Sequence, residues 1–215
     1  MRFLLFVRTV LVGIFLVASL PLEARKAAKE YTEGDGGYLI YAVGTIRIGM
    51  QFEFPYRRSA TSNGTLVNDW NGQIEPSTGG MWTMKNKNPD FAGFETGHVI
   101  VRRLPPGHYL ISNFGFAGSS PLGGRYDWSS AKPFAMEFDI RPGRATYIGS
   151  FMRSPTPKPE LRAQLGYAGY FLIADRSDRD LPIARAKLPL LPGVDIQVTD
   201  VEQFGSAALR NHSLE

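Results

Sequence analysis

The sequence predicts a mainly β protein: an antiparallel sandwich of about seven to nine strands in one domain, with one or two short helices near the C-terminus. Three observations carry that reading. Ile46, Ile48, Met50, Phe52 and Phe54 alternate with Arg47, Gly49, Gln51 and Glu53, a period of two that suits a sheet with one buried face and one wet face. Proline–glycine corners recur at Pro105-Pro106-Gly107, Arg141-Pro142-Gly143 and Leu191-Pro192-Gly193, each beside β-branched or aromatic residues. Finally, 23 glycines and 15 prolines in a chain of 215 residues that is 43% hydrophobic fit many short strands joined by tight turns.

Residues 1–24 read as a signal peptide. Arg2 and Arg8 supply a positive start, Thr9 to Leu20 a short apolar core, and the PLEA stretch a polar end. The uncharged apolar run to Leu22 falls short of the ~20 residues a spanning helix needs, so an uncleaved anchor is the lesser reading. Leu20 stands where a lipobox requires cysteine, so a lipoprotein is not expected. The address implied is the periplasm or the cell envelope.

Residues 25–36 form a polar lead-in to the domain, 37–198. Gly37 to Val43 offers a first strand, followed by the alternating Ile46 to Phe54. Residues 55–97 are loop-rich, with short strands possible at Thr65 to Trp70 and Met81 to Lys85. His98 to Phe116 reads as a hairpin closed by a type II turn at Pro106-Gly107, with His108 opposite Pro105 and His98 near Gly115. Ala117 to Lys132 reads as a second long loop. Phe134 to Ile140 and Ala145 to Phe151 are strands about another turn, and Tyr167 to Ala174, apolar on both faces, suits a strand covered on both sides. From Asp175 the period changes: Leu181, Ala184 and Leu188 share a helical face, with Asp178 and Asp180 early and Arg185 and Lys187 late, as the helix dipole favours. Thr199-Asp200-Val201-Glu202 fits a capping box opening a C-terminal helix or tail, 199–215.

Leu104 to Tyr109, L-P-P-G-x-Y, resembles the turn-into-strand segment of transthyretin-like and carboxypeptidase-regulatory-like sandwiches, which are also Ig-like in build. The resemblance implies that Tyr109 hydrogen-bonds back across the sandwich corner. Ile140 to Gly149, I-x-P-G-x-x-x-Y-I-G, and the D-x-x-x-x-D-L segment from Asp175 to Leu181 resemble an exported bacterial domain of unknown function. That resemblance implies an envelope β-sandwich and supplies no catalytic residues.

Composition narrows the chemistry. Net charge is +4, about +3 without the leader, and 20 acidic residues dilute it, so nucleic acid is not an expected partner. With no cysteine there is no disulfide, thiolate nucleophile or cysteine–zinc site. The three histidines, His98, His108 and His212, lack metal-ligand spacing, and no G-x-S-x-G elbow marks a serine nucleophile. No catalytic, cofactor-binding or metal-ligating residue is therefore assigned. Glu53, Glu137 and Asp139 belong to outward strand faces. Trp70, Trp82, Tyr126 and Trp128, in polar loops, offer a sugar-stacking platform, although bulky loop residues also plug the ends of a core. Arg57, Arg58, Arg102, Arg103, Arg141, Arg144 and Arg153 offer a basic rim for anionic lipid or cell-wall polymer, although scattered charge also simply solubilises.

The expected role is a non-catalytic binding or scaffolding protein of the envelope. Trp70, Trp82, Tyr126, Trp128, Arg102 and Arg103 are its candidate ligand contacts. The partner would be an anionic lipid, a cell-wall polymer or another envelope protein. The alternatives are a carbohydrate-binding module and a hydrolase assembled from scattered carboxylates, which would need paired acids in a cleft.

Overall fold

The computed structural model describes residues 31–45, 51–62, 65–67, 70–74, 88–119, 125–129, 134–154, 170–206 and 209–211. Among them lie thirteen strands, more than expected: β1 (Gly37–Thr45), β2 (Gln51–Ser62), β3 (Thr65–Val67), β4 (Asn71–Ile74), β5 (Thr96–Leu104), β6 (Gly107–Ile111) and β7 (Gly115–Ser119) come first. They are followed by β8 (Arg125–Ser129), β9 (Met136–Ile140), β10 (Ala145–Ser154), β11 (Tyr170–Ala174), the helix α1 (Ser177–Lys187), β12 (Val194–Ile196) and β13 (Leu209–Asn211). The described residues are mainly β, with two sheets and one α-helix. The expected leader, Ile46, Ile48, Met50 and the possible strand at Met81 to Lys85 fall outside the described residues. No helix among those described is long and apolar enough to cross a membrane.

The first sheet runs β13-β11-β10-β1-β5, with β12 beside the start of β10; the second runs β8-β7-β2-β6-β9, with β3 and β4 also on β2. The expectation of a purely antiparallel protein needs correcting. β1 pairs with β10 in parallel, as do β10 with β12 and β11 with β13. Parallel neighbours require a long connection between them. Here the intervening chain, which includes every strand of the second sheet, separates β1 from β10.

The stretch read as a hairpin also needs correcting. β5 pairs along its whole length with β1, whereas β6 pairs with β2 and β9. Pro105-Pro106-Gly107 is a corner that passes the chain from one sheet to the other. Two successive prolines offer no N–H with which to close a ladder. Gly107 has a φ of +147°, well beyond the value near +80° of a type II turn, and Arg58 donates to the Pro106 carbonyl at 2.9 Å. Consequently His98 lies opposite Val43, and His108 lies between Ser59 and Asp139. Arg141-Pro142-Gly143 makes another sheet change, from β9 to β10, closed by an Arg144 N–H bond to the Arg141 carbonyl at 3.2 Å.

One aromatic-rich core is shared by both sheets. Leu39, Tyr41 and Val43 of β1 meet Phe54, Tyr56, Tyr109 and Phe138 of the second sheet. The Phe54 ring lies 4.4 Å from that of Phe171 and 5.1 Å from that of Phe151. A second cluster covers the opposite face of the first sheet: Ile40, Ala42, Val99, Tyr147 and Met152 pack with Ala184 of α1. The first sheet is thus buried on both faces, and β10 is buried at every residue. That burial explains why β1 is apolar without alternation. β11 behaves as its composition suggests, with Phe171 and Ile173 in the shared core and Leu172 against the helix side.

The C-terminal stretch forms a single 3-10 turn, Glu202–Phe204, and then β13. Asp200, rather than Thr199, accepts the Glu202 N–H, at 3.1 Å. Val201 and Leu209 are buried in the shared core, so this stretch is part of the fold and not an appended tail.

Candidate functional site

Among the described residues, a cluster of ionisable groups lies where the N-terminus of α1 meets the outer face of the first sheet. β10 prepares it. The pairing steps from Ile40↔Tyr147 to Ala42↔Ser150, an extra residue on β10 that forms a bulge at Gly149, whose φ is +110°. The extra residue lets Tyr147 and Ser150 both face the helix, which an unbroken alternation would forbid. Tyr147 donates its hydroxyl to Asp180 Oδ2 at 2.7 Å, and Ser150 Oγ accepts from Arg179 Nη2 at 3.0 Å.

Asp180 is wholly buried and accepts a second bond from Arg179 Nε at 2.7 Å. Arg179 Nη1 reaches Glu95 Oε2 at 2.6 Å, and Arg176 Nη2 reaches Glu95 Oε1 at 3.2 Å. The Arg179 guanidinium also lies 3.7 Å from the centre of the Phe91 ring. Burial pushes the Asp180 carboxyl above its ordinary range, outweighing the hydrogen bonds from Arg179 and Tyr147. Burial likewise raises the Tyr147 phenol, helped by the charge of Asp180. For Arg179, burial opposes the charge, but the bonds to Asp180 and Glu95 overcome it and raise the pKa.

The far end of α1 is fastened to the same segment. Lys187 Nζ bonds Asp90 Oδ2 and, at 2.7 Å, the Val99 carbonyl, while Asp90 Oδ2 accepts the Val99 N–H at 2.8 Å. His98 Nδ1 stands 3.7 Å from the same carboxylate oxygen. Residues 90–99 are therefore gripped by both ends of one helix. These contacts use the carboxylates internally, as ligands for helix and edge strand.

A second grouping lies on the outward face of the other sheet. Ser59, His108 and Asp139 are register partners across β2, β6 and β9. His108 Nδ1 is 2.9 Å from Asp139 Oδ1, and its Nε2 is 3.8 Å from Glu137 Oε2. The ring therefore leans on β9, and among the described residues no hydrogen bond joins it to Ser59. This is not the geometry of an activated serine, which needs the imidazole within hydrogen-bond reach. Glu137 and Asp139 are exposed, as their alternation implies. Among the described residues no group of three or more His, Asp or Glu is placed to hold a metal ion.

The expected ligand contacts are not gathered in one place. Trp70 is half-buried against the shared core, and its ring meets Tyr31 edge-on at 5.7 Å. Tyr31 in turn bonds Asp35 at 2.6 Å, which raises its phenol pKa. Trp82 lies outside the described residues. Tyr126 and Trp128 sit in strand β8, paired with β7, rather than in a long loop. Their β propensity, with that of Phe116 opposite, outweighs the Gly-Ser-Pro-rich centre that suggested a loop. Arg102 lies opposite Leu39 and Arg103 opposite Tyr38, so the two point to opposite faces of β5.

The arginines of the expected rim are largely engaged. Arg144 makes two bonds to Asp195, at 3.0 and 2.5 Å, and these hold the Asp195 carboxyl below its ordinary range. Arg58 binds Pro106, Arg103 bonds the Gly34 carbonyl at 3.3 Å, and Arg153 is buried.

No family model, curated protein or solved structure matches the chain.

Sequence reasoning missed the cluster around Asp180. A signal was available: Asp180 precedes Ala184 by four residues and so shares its buried helical face. Reading it only as a favourable charge for the helix dipole hid that position. Nothing local marks Glu95, whose partners lie more than eighty residues away in sequence.

Proposed function

We propose that the chain is an exported, non-catalytic β-sandwich, transthyretin-like in build, that binds or scaffolds a component of the cell envelope. The observation that carries this reading is the charge balance of the buried cluster. Glu95 and Asp180 face Arg176 and Arg179, two against two, and are tied to them by ion pairs. A catalytic carboxylate needs a free proton-transfer path; these hold a helix in place. The shared aromatic core and the bond from Tyr109 back to Pro105 support the sandwich, and the polar leader with its short apolar core supports export.

The test combines location with binding. Fractionated cells should place the chain, shortened by a leader, in the periplasm or envelope. The purified mature protein should co-sediment with cell-wall fragments or anionic vesicles, less at high salt. A cytoplasmic, full-length chain, or failure to bind either material at any salt, would overturn the proposal.

A further inference from the structure

We infer that residues 90–97 form a strap that closes the β5 edge against a second copy of this chain, which pairs with it antiparallel once the strap is lifted. β5 is the outermost strand of the first sheet, and its pairing with β1 is unbroken over nine residues. In an antiparallel ladder the main-chain groups alternate in direction, so one residue in two points both N–H and C=O away from its partner. In β5 these residues are Gly97, Val99, Val101 and Arg103. The first two are covered from within the chain. The Gly97 N–H bonds the Phe91 carbonyl at 3.1 Å, and its carbonyl accepts the Asp90 N–H at 2.9 Å. The Val99 N–H donates to the Asp90 carboxylate at 2.8 Å, and Lys187 caps the Val99 carbonyl at 2.7 Å. Glu95, bonded to Arg176 and Arg179, fastens the strap between these points. Among the described residues no hydrogen bond reaches the main-chain groups of Val101 and Arg103.

Uncovered, the edge is complementary to itself in one register. A two-fold axis at Ile100 sets Gly97 opposite Arg103, Val99 opposite Val101, and Ile100 opposite its own copy. Every outward residue of each chain then meets an outward residue of the other. β-branched side chains meet across the axis and extend the apolar clusters on both faces: Val99 and Val101 belong with the cluster beneath α1, and Ile100 packs on the shared core. Arg102 falls opposite His98 and Arg103 opposite Gly97, so no arginine faces an arginine. Pairing asks nothing of either guanidinium, and Arg103 keeps its bond to the Gly34 carbonyl. With the strap in place only Val101 and Arg103 are open. Pairing through these alone is centred on Arg102 and brings the two Arg102 side chains together, which is unfavourable. The strap therefore selects the single chain, because the Gly97 and Val99 groups cannot serve strap and partner at once. This pairing goes beyond the binding role proposed above and does not rest on it.

The test uses the whole mature chain, which has no cysteine of its own, so an introduced thiol stands alone. Ile100→Cys and Arg102→Cys are each made with the strap intact and with Lys187→Met, which uncaps the Val99 carbonyl and removes the partner of Asp90. Copper-catalysed cross-linking is followed over time, and sedimentation equilibrium gives the mass of the cysteine-free chains. At the two-fold axis the Cα atoms of a non-hydrogen-bonded pair stand about 4.5 Å apart, within disulfide reach. The expected result is a dimer cross-linked through Ile100→Cys, formed about tenfold or more faster with Lys187→Met, as loss of a charge-assisted hydrogen bond implies. The Arg102→Cys product should be minor. Adding Val101→Pro, which deletes an outward N–H and leaves the ladder with β1 intact, should abolish the dimer. Asp90→Asn weakens the same clasp from its other side, and it replaces Lys187→Met if that chain loses its cooperative thermal transition. Equal rates with strap intact and weakened, preferred cross-linking through Arg102→Cys, or a dimer that survives Val101→Pro would overturn the proposal. So would a folded, strap-weakened chain that stays single at every concentration.

Discussion

The Tyr109 hydroxyl donates to the Pro105 carbonyl at 2.8 Å, inside the protein, where the chain leaves one sheet for the other. Pro105 is buried, so its carbonyl has no ready substitute in water. The bond fastens the start of β6 to the first residue of the corner. Tyr109→Phe keeps the ring, which stacks on Phe138 at 5.2 Å, and removes only the donor. The expected loss is about 1–3 kcal/mol, the cost of leaving a buried acceptor unsatisfied. Urea unfolding followed by tryptophan fluorescence checks it; an unchanged midpoint would mean that the corner is held by packing alone.

Phe54 of the second sheet packs its ring against those of Phe151 and Phe171 of the first, and against Phe114. Phe54→Ala is expected to cost about 3–5 kcal/mol, and Phe54→Leu distinctly less, because leucine refills part of the cavity. Thermal unfolding of the two variants against the parent gives the comparison. Equal losses would show that the site tolerates no aliphatic replacement.

Asp180 ties stability to pH in an unusual direction. Its native pKa is raised above the ordinary value of 3.8. Between the two values the folded protein holds a proton that the unfolded chain has released. The Asp180 contribution therefore falls as pH rises through that window and levels off above the native pKa. Asp180→Asn has no such titration, so the parent's stability relative to Asp180→Asn should decrease with rising pH across the window. Denaturant curves at several mildly acidic pH values test this. A difference that grows with pH would show that Arg179 governs the titration instead of burial.

Gly149 occupies a left-handed conformation at φ +110° within the β10 bulge, and an added methyl would lie 3.1 Å from the Ala174 carbonyl oxygen. Gly149→Ala is expected to cost about 1–3 kcal/mol from backbone strain. Because the bulge sets the spacing of Tyr147 and Ser150, exchange of amides in the first turn of α1 should quicken as well. A variant less stable overall but with unchanged local exchange in α1 would separate the strain from the positioning.

The β class was legible because burial leaves a pattern: the apolar β1, the β9 alternation Met136, Phe138, Ile140, and the doubly covered β11 all carry their environment in their composition. The helix was legible from its period and charge order. Connectivity was not. Pro-Gly reads alike whether it folds a strand onto its neighbour or sends it to another sheet. Only the partners of β5 and β6, distant in sequence, decide between them. The buried cluster was hidden for a related reason, since Glu95 and Arg179 look like solvated charges until the fold brings them together. Arg102 and Arg103 show the opposite failing. Adjacent in sequence, they suggested one patch, and the pleat divides them.

The parallel pairing of Tyr38 with Ala145 also bears on how the protein is made. A growing polypeptide that has delivered β1 must wait for roughly a hundred further residues before the central partner of that strand exists, and such distant closures are slow. Until then β1 has only β5 beside it, and the first sheet is two strands wide. A lone antiparallel pair is only marginally stable in water, so the arrival of β10 is the step that makes the first sheet able to hold together.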